Sequence, residues 1–378
     1  MERTDRYPQV NTGRLVEEFK ELVAIDSVSF HERRMADTLK SKLLKLGFEV
    51  YEDGAAGVYG SEAGNVYGFL PGTLEGPPLL LSAHMDTVEP GWGKRAVIHP
   101  DGRITSKGDT VLGSDDAAGI ASILEAVRAV SESGQPHRGI EVLFPMAEEA
   151  YGKGSTVAEY DRLRAKEAYT LDLSGPVGQA SLQEPTFVSF SIEFVGKASH
   201  AGFAPEEGIN AIAAAAAAIT RIRQGRVGEG TTVNIGKIEG GKATNIVPAL
   251  VRMEGEIRSY VHEAALAQME QIRRICEDTA VGFGAVVRVD SRLHMLAYRV
   301  EEKEPVVQRF RRVCETLGVE CSLTRTLGGS DNNCFIQHGI RGVVLSCGMN
   351  QVHSTEEFSS VSELERCASI VAGLIVED

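Results

Sequence analysis

The chain has 378 residues, 43% hydrophobic and 24% charged, a length and composition that suit a soluble globular protein of two domains. Its formal net charge of −14 argues against a general binder of nucleic acid or anionic membrane, since either needs a basic surface. The N-terminal MERTDRYPQVNTGRL lacks an apolar signal core, and no stretch offers the roughly 18 uninterrupted apolar residues of a membrane span.

Apolar positions recur at helical spacing in two segments between Arg14 and Leu46, interrupted near Asp26–His31. The runs GNVYGFLPG, PPLLLSAHMDTV, IEVLFPM and AYTLDLS read as strands, with a helix, DDAAGIASILEAVRAV, between the second and third. Short, nearly continuous apolar strands alternating with helices predict an α/β fold: a mixed open sheet with helices on both faces. From about Glu184 the period becomes two, as in TFVSFSIEFVG. A helix, GINAIAAAAAAITRIR, follows, then strands TTVNIGKIEGG and LVRMEGEIRSY, a helix from His262 to about Ala280, and a strand, AVVRVDSRLHM. That β-α-β-β-α-β order, over about 110 residues, predicts an inserted ferredoxin-like domain. The α/β pattern then resumes with a helix (EPVVQRFRRVCETLG), a strand (VECSLTRT), a short helix (SDNNCFIQHG), a strand (RGVVLSCGM) and a last helix near Val361–Val376. Residues 1–183 and 297–378 are thus expected to form one discontinuous domain, with 184–296 as the insert. All six cysteines lie in the last third without a C-x-x-C pair, and they read as reduced core thiols of a cytoplasmic protein.

Ionisable residues gather just beyond the strand ends. His84 and Asp86 follow LLLSA, Asp115 and Asp116 open the helix after TVLGS, and Glu148 and Glu149 follow VLFPMA. Asp172 follows AYTL, and His353 comes just after VVLSCGMNQV. Sites in open parallel sheets form outside the carboxyl ends of the strands, so five segments deliver His, Asp and Glu to one edge. Each alone has a plainer reading: a surface histidine, a helix cap for Asp115 or Asp116, a turn for Asp172, a solvated turn for Glu148–Glu149. Together they form a set of imidazoles and carboxylates without thiolate, which suits zinc or a similar divalent ion in a catalytic site. Two histidines and three carboxylates serve two ions if one carboxylate bridges, and ions about 3.5–4 Å apart can hold a hydroxide and polarise a carbonyl. Asp86, two residues past His84, is placed to accept the other imidazole N–H. Spacing alone leaves open which of Glu148 and Glu149 grips a metal.

The motifs SAHMDTV, LGSDDAAGIA, MAEEAYGKGS, LDLSG and VHSTEEF stand in the order and approximate spacing of the peptidase T/aminoacylase family of two-zinc exopeptidases and amidohydrolases. The chain resembles that family over essentially its whole length, and most of all its peptidase T-like, tripeptide-aminopeptidase branch. LVEEFKELVAIDSVSFHE is similar to the family's opening helix and loop, and GKASHAGFAPEEGINAI and IEGGKATNIVPALVRMEGEIRS are similar to its lid motifs. The resemblance implies a zinc-exopeptidase-type sheet with an inserted lid. It implies that His84 binds one metal and His353 the other, that Asp115 bridges them, and that the Asp115–Asp116 peptide is cis. Asp172 is then the terminal carboxylate beside His84 and Glu149 the one beside His353, with Glu148 as general base and Asp86 orienting His84.

In the lid, His200 resembles the histidine that reaches a partner subunit's active site to support the oxyanion, and Asn245 and Arg258 resemble substrate-binding positions. Gly329 and Ser330 lie in a loop, Gly328–Asn333, that resembles one lining the substrate pocket; peptidase T reads Gly-Gly-Thr-Asp-Gly there, so Ser330 and Asn332 leave substrate preference open. The implied protein is a hydrolase of short peptides with two divalent ions per subunit, zinc first with cobalt or manganese as alternatives. It forms a homodimer through the lid and has no nucleic-acid or membrane partner. Carboxypeptidase, dipeptidase and N-acyl amino-acid deacylase activities are the family's alternatives. The split insert and ASHAG argue against the related glutamyl or deblocking aminopeptidases; a catalytically silent metal-stabilised protein acting through its lid is the reading from another class.

Overall fold

The computed structural model describes residues 6–377. They divide into two compact units, one reaching to Gln183 and resuming over Arg299–Arg325 and from Ser330, the other comprising Glu184–Tyr298 with Thr326–Gly329.

The first unit is built on an eight-stranded mixed sheet. Its order is Glu49–Glu52, Val66–Leu70, Ile140–Phe144, Leu79–Ser82, Glu167–Leu173, Arg341–Ser346, Gln179–Ser181 and Ser322–Thr324. The centre is parallel: Leu79–Ser82 pairs with Ile140–Phe144 on one side and Glu167–Leu173 on the other, and the latter pairs with Arg341–Ser346. Such strands are covered on both faces, which is why their apolar runs are continuous. Every residue of Leu79–Ser82 and of Ile140–Phe144 is buried. Glu141 tolerates this because its Oε2 accepts the backbone N–H groups of Arg164 and Ala165 at 3.0 and 2.9 Å. Antiparallel pairing is confined to the flanks, between Glu49–Glu52 and Val66–Leu70, between the latter and Ile140–Phe144, and between Gln179–Ser181 and Arg341–Ser346.

Helix Ser114–Ser133 is buried nearly all round, packed against Thr12–Val23 and Val361–Val376. Its fully buried Glu125 accepts Nε and Nη2 of Arg14 and the Asn11 N–H at 2.7–2.9 Å, so the charge is paired rather than stranded. A separate three-stranded sheet, Ala96–Ile98, Arg103–Ser106 and Phe358–Ser360, was not expected from the sequence. Its strands are three or four residues long and largely half-exposed, too short to set a period.

The second unit is a five-stranded antiparallel sheet ordered Gly225–Gly228, Thr231–Gly240, Leu250–Ser259, Thr186–Val195 and Val286–Met295. Four of these strands, with helices Ala211–Arg221 and His262–Phe283, give the expected ferredoxin-like order; Gly225–Gly228 is an additional edge strand. Val188, Phe190, Ile192 and Phe194 alternate onto one face, where they pack with Ala214, Ala215 and Ala218 of the first helix and Ile272 and Cys276 of the second. The alanine run is therefore a close-packing surface. Among the described residues no helix is long and apolar enough to cross a membrane.

Candidate metal centre

The parallel strands of the first unit end together, and the chain leaves each of them through a polar turn. His84 lies two residues past Leu79–Ser82, Glu148 and Glu149 lie past Ile140–Phe144, and Asp172 is the penultimate residue of the strand Glu167–Leu173. Asp115 and Asp116 head the helix that follows the 103–106 strand; their mutual peptide bond is cis, and neither has helical φ and ψ. Regular helix begins only after them, with Asp116 as its cap: Oδ1 accepts the Gly119 N–H at 3.1 Å, while Oδ2 accepts the His84 N–H at 3.1 Å. A side chain at position 119 would collide with Asp116 Oδ1 at 2.4 Å and Leu171 O at 2.7 Å, so only glycine lets the helix approach this closely.

The imidazoles and carboxylates converge through Asp115. Its Oδ1 lies 2.9 Å from His84 Nε2, and its Oδ2 lies 3.3 Å from His353 Nε2. Each ring has a second carboxylate beside it: Glu149 Oε1 is 2.9 Å from His353 Nε2, and Asp172 Oδ1 is 3.9 Å from His84 Nε2. Donor atoms of His84, Asp115 and Glu149, and separately of His84, Glu148 and Asp172, lie within 4.8 Å of one another. Glu148 is thus also within ligand reach, and distance alone does not separate the two glutamates. On the far side of His84, Nδ1 donates to the Asp86 carbonyl at 2.9 Å, with the Asp86 carboxylate at 3.3 Å. That bond fixes the ring and leaves Nε2 facing the cluster, the usual arrangement of a metal-binding histidine.

Most of the Asp86 carboxylate serves another purpose. Its Oδ1 accepts the Glu148 N–H at 2.9 Å, and its Oδ2 accepts the Glu149 N–H at 3.2 Å and the Ser29 hydroxyl at 2.7 Å. The two preceding donors are claimed as well: Ala147 N–H by Glu32 Oε1 at 3.0 Å, and Met146 N–H by Asn65 Oδ1 at 3.1 Å. Asn65 also donates to Gly154 O at 3.0 Å, closing the turn from both ends. Four consecutive N–H groups thus end on side chains, with Ala147 held at φ +47°. Neither Glu32 nor Asn65 stands out as a functional residue in the sequence; the one hint is that Glu32 closes the opening motif LVEEFKELVAIDSVSFHE.

Electrostatics call for more positive charge than the side chains supply. Burial raises the pKa of Glu148, Asp172 and Asp116 well above the carboxylate range, and neighbouring carboxylates reinforce it while His84 works against it. Burial, with Asp115 beside it, lifts Glu149 to about 7. Asp115 alone falls, because His353 and His84 outweigh its burial. Hydrogen bonds donated to Asp115 and Glu149 raise His353 to about 10, and those donated to Asp115 and Asp86 raise His84 despite its burial. The two imidazolium rings here take the part of cations. A set of neutral-capable imidazoles and crowded carboxylates fits divalent first-row ions, whose charge would relieve the repulsion.

The remaining candidates stand apart from this cluster in chain and chemistry. Ser330 is buried in the first unit, its N–H on Asn333 Oδ1 at 3.0 Å and its Oγ accepting Asn332 N–H at 3.2 Å. Gly329, His200, Asn245 and Arg258 belong to the second unit. His200 is exposed; its Nδ1 accepts the N–H groups of Gly202 and Phe203 at 3.1 Å, which leaves Nε2 as the protonated nitrogen of the neutral ring. Asn245 is exposed, and its carbonyl accepts Ala201 N–H at 3.0 Å. Arg258 is already engaged: Nε lies 2.9 Å from Glu256 Oε1, Nη1 2.9 Å from Leu327 O, and the guanidinium 4.4 Å from the Phe187 ring centre.

Comparison with known proteins follows the same lines. Residues 183–283 match the family model of the peptidase dimerisation domain, and residues 65–216 match that of peptidase family M28. The uncharacterised protein YqjE of Bacillus subtilis is 36% identical over 97% of this chain and 99% of its own length. The crystal structure of a tripeptidase from Staphylococcus aureus superposes with a TM-score of 0.94 at 35% identity, covering 97% of this chain and 98% of that one. That of aminopeptidase PepT from Bacillus cereus gives 0.89 at 38% identity with the same coverage. With the fold, the strand-end cluster and these full-length likenesses together, the chain belongs to the M20 peptidases, in their peptidase T-like branch.

Proposed function

We propose that the protein is a metal-dependent aminopeptidase that removes the N-terminal residue of short peptides, tripeptides first. One observation carries the reading: the two oxygens of Asp115 face two imidazoles from opposite ends of the chain, and each imidazole has a further carboxylate at its side. Similarity to a tripeptidase and to PepT over nearly the whole chain supports the substrate class. His84, Asp115 and Asp172 would hold one divalent ion, and His353, Asp115 and Glu149 the other; zinc is proposed, with cobalt or manganese able to replace it. When bound, the ions supply Lewis acidity toward the scissile carbonyl and lower the pKa of water.

The chain's own residues do the rest. Glu148 takes the proton of the attacking water and passes it to the leaving nitrogen, and its buried setting gives the carboxylate the raised proton affinity a base needs. Asp86 keeps the His84 ring in its tautomer and holds the Glu148 and Glu149 backbone. His200, protonated at Nε2, would donate to the oxyanion, from a partner subunit if the dimerisation-domain match reflects a homodimer. Arg258 would exchange Glu256 for a substrate carboxylate, with Asn245, Gly329 and Ser330 as further substrate contacts. The six free thiols support a reducing, cytoplasmic location.

A hydrolysis panel of di-, tri- and tetrapeptides, each with its N-acetylated form and with zinc, cobalt or manganese added, tests the reading. Cleavage of free tripeptides with loss on acetylation is expected. Preference for the acetylated forms would replace it with deacylase chemistry, and release of C-terminal residues with a carboxypeptidase.

A further inference from the structure

The turn that carries Asp115, the shared ligand of the candidate centre, is itself held through its backbone by a residue that no ligand reading uses. Glu357, buried at 2% exposure, lies four residues beyond His353 and directly before the strand Phe358–Ser360. Its Oε2 accepts the Gly113 N–H at 2.8 Å, and its Oε1 accepts the Ser114 hydroxyl at 2.6 Å and the Asp115 N–H at 3.1 Å. Three donors from consecutive residues, in the turn that presents Asp115, therefore end on one carboxylate. The turn is also closely packed at Gly113, which has φ +73° and where a Cβ would meet Lys94 Cε at 2.8 Å.

The backbone of Glu357 is tied to the other ligand loop. Its N–H donates to Ser354 O at 3.2 Å, one residue past His353, and Phe358 exchanges N–H···O bonds of 3.0 Å with Asn350. The loop from Asn350 to Phe358, which carries His353 at φ +61°, is thus closed at its base beside Glu357. A single residue joins the loop of His353 to the turn of Asp115, across 242 positions of sequence.

We infer that Glu357 is a positioning residue for the metal pair, fixing Asp115 relative to His353 and so setting ion affinity without ligating an ion. The inference rests on the two-metal reading above. Partners that orient ligands in this way are worth about 10–100-fold in metal affinity. Glu357→Ala removes all three acceptor contacts. Glu357→Gln keeps the shape but exchanges one acceptor oxygen for an amide nitrogen, which cannot accept from a backbone N–H.

Metal-free wild type and both variants are titrated with Co²⁺ against a chromophoric chelator, with visible spectra and melting curves recorded in parallel. The expected result is a loss of about 10–100-fold in Co²⁺ affinity for Glu357→Ala, a smaller loss for Glu357→Gln, and displaced cobalt bands in both. Wild-type affinity and bands in the variants, even with lowered melting temperatures, would reduce Glu357 to a fold-stabilising residue and overturn the assignment. If Glu357→Ala does not fold, Glu357→Gln and Ser114→Ala carry the same readouts and decide the question in the same way. A wild type that takes up no Co²⁺ would instead sink the two-metal reading, and this inference with it.

Discussion

The proposed functional residues of the two units are held in opposite ways. In the first unit all the ligand candidates but His353 are buried or nearly so, Asp115 and Glu149 lie 2.9–3.3 Å from the imidazoles, and the N–H groups from Met146 to Glu149 end on side chains from distant segments. In the second, His200 and Asn245 are exposed, and the bonds to the His200 ring come from residues two and three positions away. The difference follows from what each site asks of the fold. Metal ligation needs distances fixed to a few tenths of an ångström, so a scaffold must set them before the ion arrives. An exposed imidazole on a local turn needs only its tautomer fixed, and takes its partner from whatever it meets.

Glu148→Gln puts this contrast under the greatest strain. If Glu148 is the base and not a ligand, turnover should fall about 10²–10⁴-fold while both ions stay bound, as metal analysis of the purified variant would show. Loss of an ion with the activity would move Glu148 into the ligand set. Phe194→Ala, in the core of the second unit, should destabilise by about 3–5 kcal/mol in denaturant melts without altering metal stoichiometry. A fall in metal content would show that the first unit's frame is not self-sufficient. Next in size, His200→Ala should lower kcat by about 10²-fold, as for loss of one oxyanion donor, with metal affinity intact. An unchanged kcat would remove His200 from the reaction.

The smallest effect is on pH dependence. In chelator, His353 has its pKa raised from the ordinary 6.5 to about 10 by Asp115 and Glu149. A raised histidine contributes stability that is complete below pH 6.5 and is lost as pH rises through about 10. The gap in Tm between metal-free wild type and His353→Gln should therefore narrow across that window. The same proton must leave before Nε2 can ligate, so metal affinity should climb over the same range. A gap that widens with pH would contradict the pairing.

How much of this was legible in the sequence varies with the physics of each part. Leu79–Ser82 and Ile140–Phe144 could be read because burial on both faces writes a continuous apolar run, and His84 and Glu148–Glu149 because they sit just past those runs. The alternation of Thr186–Val195 was equally plain. Gly225–Gly228 and the sheet of Ala96–Ile98, Arg103–Ser106 and Phe358–Ser360 left no such mark, being short and mostly half-exposed or open to solvent. Glu32, Asn65 and Glu357 were invisible for another reason. Each acts by accepting backbone N–H groups from residues 115, 81 and 242 positions away, and a backbone donor has no residue type to read. Asp86 shows the limit from the other side: its place beside His84 was legible, its grip on the Glu148 and Glu149 backbone was not.

Everything proposed for the first unit depends on two ions sharing Asp115 in a centre that hydrolyses short peptides. The most direct test is a titration of metal-free protein with a divalent ion while tripeptide turnover is followed. Turnover that climbs until two ions per chain are bound, with none in chelator, is the predicted result. Turnover that is complete with one ion, or that persists in chelator, would contradict it.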